Sequence, residues 1–189
     1  MSSLCGIYAS VVKINLKRDD GNNYMCTGYL IAPDVVATAG HCSYEKGQGR
    51  AISMDLWTGY HGRASTSSDQ HVQHRRGVKI ATTSQWIGSK MSNHDVAFVK
   101  LDSPFHGLTP YTYAQTPSHI AEEIVIAGYP GDKVDNGQKG ADMWEGTDTA
   151  NFDLNTSCQN MLVYKISTYN GKQELFESFQ VHLTDHGNR

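Results

Sequence analysis

The sequence predicts an all-β protein, and three observations support this fold class. Nine short runs of strand-forming, mostly apolar residues recur along the chain. A polar segment that carries glycine and serine, residues 59–77, separates two of these runs and is typical of a surface loop. A second separating segment, residues 102–120, carries three prolines and is typical of an extended linker. The chain is therefore predicted to divide into a six-strand part and a three-strand part.

The predicted strands have short lengths and are bounded by turn-forming residues. The six strands of the first part are Ser10–Leu16, Tyr24–Ala32, Val35–Ala39, Ala51–Tyr60, Gly77–Trp86 and Val96–Leu101. The three strands of the second part are Glu122–Tyr129, Met143–Leu154 and Met161–Tyr169. No internal repeat or low-complexity tract interrupts this pattern.

The bulk composition excludes several classes of function. The chain has 189 residues, of which 39% are apolar, so it is long enough to bury a sizeable core. Its formal net charge is −3 and its basic clusters, such as Arg75-Arg76, are short. We therefore expect no nucleic-acid partner and no membrane partner. The apolar runs are also far too short for a transmembrane helix, which favours a soluble globular protein.

The segment from Cys26 to Cys42 carries the most informative motif. It reads Cys-Thr-Gly-Tyr-Leu-Ile-Ala-Pro-Asp-Val-Val-Ala-Thr-Ala-Gly-His-Cys and resembles the histidine loop of chymotrypsin-like serine peptidases. The resemblance implies a double antiparallel β-barrel, with His41 at the mouth of a cleft as the general base for a serine. It also implies a disulfide between Cys26 and Cys42, which are 16 positions apart.

A second motif supplies the expected partner of His41. Asp95 stands immediately before the strand-forming run Val96–Leu101 and is similar to the aspartate segment of the same family. The resemblance implies that Asp95 accepts a hydrogen bond from the protonated ring nitrogen of His41. This bond holds the tautomer in which the other ring nitrogen is free to act as a base. His94 is the neighbouring and weaker candidate for this role.

Two further segments resemble the glutamyl-endopeptidase-like branch of the family. These are Gly-Tyr-Pro-Gly-Asp-Lys at residues 128–133 and Met-Trp at residues 143–144. The first is typical of a buried strand that ends in a Pro-Gly turn, and the second is typical of an aromatic core anchor. Both are scaffold features, so they imply no cleavage specificity.

The expected nucleophile segment is absent from the sequence. Members of this family place the serine in a Gly-x-Ser-Gly turn, and the chain contains no such segment. Ser178 lies between Glu177 and Phe179, where an oxyanion-forming turn is sterically strained, and Ser167 lies inside a predicted strand. We expect neither serine to be the nucleophile. Cys158 lacks a glycine turn and is interpreted as a partner of Cys5 or a free thiol.

The resemblance sets the expected domain organisation. We expect a first β-barrel over residues 1–101 with the His and Asp of the triad, a linker over 102–120, and a partial second β-barrel over 121–171. Residues 172–189 are expected to be a tail foreign to the family, which suggests a truncated or frame-shifted gene product. An incomplete second barrel would leave edge strands unprotected.

Three functions follow as hypotheses. The first is a serine-type endopeptidase homologue that acts on peptide or protein substrates but is inactive in this chain. The second is a non-catalytic, protease-like binding module, and the third is a truncated gene product without function. We expect a monomer.

No cofactor and no metal site are expected. His61, His71 and His74 fall within the polar loop, but no cysteine or cleanly spaced further ligand accompanies them. The cellular compartment has two interpretations. The N-terminus lacks a signal-type apolar stretch, whereas the Cys26 and Cys42 spacing and the family resemblance favour an extracellular protein. Either an upstream signal is missing from the chain, or the thiols stay reduced in a cytosol.

Overall fold

The structure, a computed structural model, describes residues 6–113, 119–153 and 155. Its strands are β1 (Val11–Arg18), β2 (Asn23–Ala32), β3 (Val35–Thr38), β4 (Tyr44–Glu45), β5 (Gly49–Thr58), β6 (Gln73–Thr82), β7 (Ala97–Leu101), β8 (His119–Gly128), β9 (Val134–Asp135), β10 (Gln138–Lys139) and β11 (Trp144–Asp153). Its helices are α1 (Gly40–Ser43), α2 (Ser65–Ser68) and α3 (Ser84–Ser89), and a 3₁₀ turn spans Ser92–His94. The predicted all-β class is therefore confirmed.

Six antiparallel strands close into a barrel. The order around it is β1, β2, β3, β7, β6 and β5, and β5 pairs again with β1. Ile14 of β1 shows the closure, because it lies opposite Cys26 of β2 on one side and opposite Leu56 of β5 on the other. A closed barrel leaves no strand of the ring with an unpaired edge. The six predicted strands of the first part correspond to these six.

The barrel interior is filled by side chains, mostly aliphatic, from β1, β2, β3, β5 and β7. Ile14, Leu30, Val36, Leu56 and Val99 have no measurable exposure to solvent. Alternation along each strand sends these residues inward and their neighbours outward. Each buried side chain of this size stabilises the fold by about 1.5–3 kcal/mol relative to exposure. The barrel is thus a rigid platform for the loops at its ends.

The second part contains a two-stranded sheet and a small hairpin. β8 and β11 pair over ten residues, from Trp144 opposite Gly128 to Asp153 opposite His119, and β9 pairs with β10. Gly128 allows the sheet to approach the barrel, because a Cβ atom there would lie 2.8 Å from Thr27 Oγ1. The next residue, Tyr129, donates its backbone N–H to the same oxygen at 2.9 Å.

An aromatic cluster joins the second sheet to the outside of the barrel. Its buried members are Val11, Tyr29 and Tyr60 from the first part and Ala127 and Tyr129 from the second. The Tyr29 hydroxyl donates to the Ala127 carbonyl at 2.6 Å, and the Tyr129 hydroxyl donates to the Tyr60 carbonyl at 3.2 Å. These hydrogen bonds satisfy the polar ends of otherwise buried rings.

One predicted strand is wrong in its bounds. The sequence predicts a strand over Gly77–Trp86, whereas β6 begins earlier and Trp86 lies in helix α3. Thr83 begins this helix as its N-cap, since its hydroxyl accepts the backbone N–H of Trp86 at 3.0 Å. The predicted loop over residues 59–77 likewise contains helix α2 and the start of β6.

Several predictions fall outside the described residues. These are the strand Met161–Tyr169, the tail 172–189, and the residues Cys5, Cys158, Ser167 and Ser178. The proposed domain bounds remain predictions. No helix in the described part of the chain is long and apolar enough to cross a membrane.

Candidate active site

His41 lies in the single-turn helix α1, directly after strand β3. The preceding glycine is required there, because a Cβ atom on Gly40 would lie 2.8 Å from Asp95 Oδ1 and 2.9 Å from the Trp86 ring. Contacts this short do not occur around a real side chain, so any larger residue would push the loop off Asp95. The Ala-Gly-His sequence therefore lets the histidine loop pack tightly against the loop that carries the aspartate.

Asp95 holds His41 through two contacts. Asp95 Oδ2 lies 2.7 Å from His41 Nδ1, and Asp95 Oδ1 accepts the backbone N–H of His41 at 2.6 Å. The Asp95 side chain is 5% exposed and that of His41 is 23% exposed. Because an ionised carboxylate can only accept, this contact places the imidazole proton on Nδ1. The structure thus brings together two predicted site residues that are 54 positions apart.

Asp95 owes its position to the 3₁₀ turn that precedes it. The backbone N–H of Asp95 donates to the Ser92 carbonyl at 3.0 Å, and strand β7 begins two residues later. The neighbouring His94 has a different part in this loop. Its carbonyl accepts the Thr83 hydroxyl at 2.8 Å, which ties the turn to helix α3.

The disulfide between Cys26 and Cys42 is present. Cys42 follows His41 directly and is buried, so the bond fastens the histidine loop to strand β2. The two sulfur atoms and a His41 nitrogen lie within 4.8 Å of one another, as the ligands of a metal ion would. Here the sulfurs are bonded to each other, and a metal ion requires thiolates, so these three residues do not form a metal site.

Trp86 is a residue near the site that the sequence did not single out as part of it. Its ring lies 6.4 Å from that of His41, and its Nε1 donates to the Tyr44 carbonyl at 2.9 Å. The Lys90 ammonium lies over the Trp86 ring, 4.1 Å from the ring centre. The sequence signal for the position of Trp86 is Thr83, three residues earlier, because threonine favours the N-cap of a helix.

The loop histidines have separate partners. His74 Nε2 lies 2.7 Å from Asp55 Oδ1, and the His74 ring stacks on Trp57 at 4.1 Å. His61 Nε2 lies 3.6 Å from Asp69 Oδ2. Among the described residues, these histidines form no group with the spacing of metal ligands.

A cavity of about 1660 Å³ lies between the barrel and the second sheet. His41 and Trp86 line it from the barrel, and Tyr129 and Trp144 line it from the second part. Lys13 of β1 also lines it and is almost fully buried. The arrangement can therefore place a bound chain beside the imidazole.

Comparisons with known proteins agree with this fold. An extracellular metalloprotease of Bacillus subtilis (strain 168) is 30% identical over 67% of this chain and 40% of its own length. A glutamyl endopeptidase of Bacillus licheniformis is 31% identical over 57% of this chain and 33% of its own length. The chain therefore spans well under half of the curated relatives that it matches.

A solved structure of a Glu endopeptidase in complex with MPD superposes with a TM-score of 0.65. It is 20% identical, and the match covers 87% of this chain and 76% of that one. At this identity the likeness shows the fold alone. The family model described as Trypsin matches residues 7–171. Taken with the closed barrel and the disulfide at the histidine loop, these matches show that the chain belongs to the trypsin family and is similar to its glutamyl-endopeptidase-like members.

Proposed function

We propose that the chain is a serine-endopeptidase homologue in which His41 is the general base and Asp95 orients it. The observation that carries this proposal is the 2.7 Å contact between His41 Nδ1 and the buried Asp95 Oδ2. Family membership supports peptide or protein substrates, and the cavity beside His41 is the place where we expect them to bind.

The geometry suits one half of acyl-transfer chemistry. Asp95 accepts a hydrogen bond from the Nδ1–H group, so the proton stays on Nδ1 and the basic lone pair lies on Nε2. Nε2 takes the proton of an attacking hydroxyl, and the adjacent carboxylate stabilises the imidazolium that forms. The second contact of Asp95, to the His41 backbone N–H, limits rotation of the residue during this transfer. The dyad therefore prepares a base for a nucleophile.

A recognisable nucleophile segment does not occur among these 189 residues. No Gly-x-Ser-Gly segment occurs in the sequence, and that turn provides both the attacking oxygen and the oxyanion donors. We therefore propose that this polypeptide has negligible peptidase activity. We expect neither Ser178 nor Ser167 to replace the missing serine, because neither has the glycines that such a turn needs.

Labelling with a fluorophosphonate probe tests this proposal directly. We expect no stoichiometric modification of the wild-type chain, and the same result for His41→Ala and for the matched control His94→Ala. Stoichiometric labelling that is lost in His41→Ala and kept in His94→Ala would show that a competent nucleophile exists, and the inactive assignment would be wrong.

A non-catalytic binding module is the second candidate. The complete ring of the first barrel favours it, because a closed barrel with a filled core can fold stably without the remaining strands. A single cooperative thermal transition supports this candidate. A broad transition with strong binding of a hydrophobic dye supports a non-functional fragment instead.

An extracellular location is also part of the proposal. The Cys26–Cys42 disulfide supports it, because such bonds persist in oxidising compartments. A thiol titration of the protein purified without reductant checks this directly, since free Cys26 and Cys42 thiols would contradict it.

A further inference from the structure

Arg18, at the end of β1, is a buried cation that donates a hydrogen bond to the backbone of His41. The residue is 3% exposed. One of its terminal nitrogens, Nη2, donates to the His41 backbone carbonyl at 2.5 Å, and the other donates to Gln48 Oε1. Its guanidinium carbon lies 4.4 Å from the centre of the Tyr24 ring. One side chain thus connects three separate segments of the first barrel.

The burial of Arg18 is costly and needs an explanation. Among the described residues, no carboxylate lies within ion-pair distance of its guanidinium, and its Nε atom is buried without a hydrogen-bond partner. Burial lowers the pKa of Arg18, and the nearby charges of Glu45, Asp20 and Asp19 only partly offset this. A buried guanidinium stays charged, so the contacts of Arg18 must offset the free-energy cost of removing its charge from water.

The most informative of these contacts is the one to His41. Helix α1 has a single turn, in which the Gly40 carbonyl accepts the Tyr44 N–H and the Ser43 hydroxyl. Such a short helix provides no intrahelical donor for the carbonyl of its second residue. Arg18 supplies that donor. The charge-assisted bond is stronger than one between neutral groups, and a guanidinium holds its donors in a fixed plane.

Arg18 and Asp95 therefore hold His41 from opposite sides. Asp95 binds its N–H and its ring nitrogen, and Arg18 binds its carbonyl. Asp95 thus binds the peptide unit before the His41 Cα atom and Arg18 binds the one after it, so rotation about that Cα breaks a charged hydrogen bond. Positioning of this kind matters because a base displaced by about 1 Å loses much of its effect on the reaction rate.

We propose that Arg18 is a positioning residue for the imidazole of His41, acting through the His41 backbone carbonyl. The inference rests on the proposed role of His41 as a base. It goes beyond that role because it assigns a function to a side chain that binds the backbone of His41.

The test uses signals that do not depend on catalysis. Amide hydrogen exchange of the full chain reports the His41 N–H, and proton NMR reports the low-field Nδ1–H resonance of the same residue. The variants are Arg18→Met, which removes the donors, and Arg18→Lys, which keeps the charge without the fork. Arg50→Met is the matched control, because Arg50 is an exposed arginine on the neighbouring strand β5.

We expect exchange of the His41 amide to rise about tenfold in Arg18→Met and about threefold in Arg18→Lys, because a charged hydrogen bond is lost or weakened. The Nδ1–H resonance should broaden in both. Exchange at Leu56 and Val99, in the barrel core, should change by less than about twofold. Arg50→Met should resemble the wild type throughout.

Three outcomes would overturn the inference. In the first, both variants keep the wild-type exchange rate at His41. In the second, exchange rises equally at His41, Leu56 and Val99, which would mean that Arg18 stabilises the barrel as a whole. In the third, Arg18→Met does not fold and Arg18→Lys leaves the His41 signals unchanged. Absence of the low-field resonance from the wild type would instead contradict the proposed dyad, while the exchange rates would still decide the role of Arg18.

Discussion

The first barrel and the second sheet differ in how their strand edges are satisfied. The barrel closes through the β1–β5 pairing, and its core is lined from β1, β2, β3, β5 and β7. The sheet of β8 and β11 has two strands, and in the described part of the chain it rests on the barrel through aromatic rings. The His41–Asp95 pair lies entirely within the closed part. The contacts between His41 and Asp95 therefore join residues of the closed barrel and involve no strand of the second sheet.

The largest expected effect is that core mutations lower the free energy of unfolding more in the barrel than in the second sheet. Leu56→Ala in the barrel should lower the free energy of unfolding by about 3–5 kcal/mol, because it leaves a cavity in a closed core that cannot collapse. Ile126→Ala in β8 should cost about 2 kcal/mol, the low end of the range for such a change, because a two-stranded sheet relaxes more readily. Urea unfolding measures both. An equal or larger loss at Ile126 would contradict the contrast between the regions.

The next effect concerns the disulfide of the barrel. Replacement of Cys26 and Cys42 by alanine should lower the free energy of unfolding by about 3 kcal/mol, since the bond closes a loop with a separation of 16 residues. We also expect faster exchange of the His41 amide, because Cys42 fastens its loop to β2. Urea unfolding checks the first expectation and hydrogen exchange the second. Unchanged exchange at His41 would mean that Asp95 and Arg18 suffice to hold the loop.

The smallest effect is a pH dependence at the junction of the two regions. Lys13 is 1% exposed, and burial lowers its pKa from 10.5 to about 8. Its ammonium donates to the Gly140 carbonyl at 2.5 Å and lies 5.0 Å and 5.2 Å from the Tyr60 and Tyr129 ring centres. These contacts favour the charged form, so the net effect on stability is smaller than the shift alone suggests.

The sign of this dependence follows from proton linkage. The folded pKa is below the unfolded one, so the unfolded chain binds more protons between pH 8 and pH 10.5, and stability rises with pH in that window. We expect a rise of about 1 kcal/mol between pH 8 and 10. Above about pH 10.5 the trend should reverse, because the pKa values of Tyr8 and Tyr111 are raised from 10.0 to about 12.

Denaturant unfolding at pH 7.5, 9 and 10, with each pH controlled to about 0.1 unit, measures this rise in stability. Lys13→Met is the control variant and should remove it. The expectation would be wrong if the rise persisted in Lys13→Met, since its source would then lie elsewhere. A flat profile in the wild type would contradict it as well.

The sequence predicted the strands of the barrel and the contact between His41 and Asp95 from signals that are local in the chain. The strands of the ring are short runs of strand-forming, mostly apolar residues, and the segments around His41 and Asp95 are continuous in the chain. Helix α3 was missed because Trp86 and Ile87 favour strands, whereas a single threonine cap and the packing of Trp86 decide the outcome. The local preference was overridden by tertiary contacts.

The buried cations could not be predicted for a different reason. Lys13 and Arg18 lie among apolar residues of β1, and a charged residue in such a strand usually faces water. Their partners include aromatic rings, the Gln48 side chain and two backbone carbonyls, at Gly140 and His41. Backbone carbonyls leave no trace in the sequence, so only the fold reveals these sites.

The most direct test of the account is the tautomer of His41, observed in the nitrogen NMR spectrum of histidine-labelled protein. We predict that neutral His41 carries its proton on Nδ1 in the wild type and that Asp95→Asn reverses this, because an asparagine amide can donate to the ring. Asp55→Asn, which removes the carboxylate beside His74, should leave His41 unchanged. A wild-type His41 with its proton mainly on Nε2, and no response to Asp95→Asn, would contradict the preformed dyad.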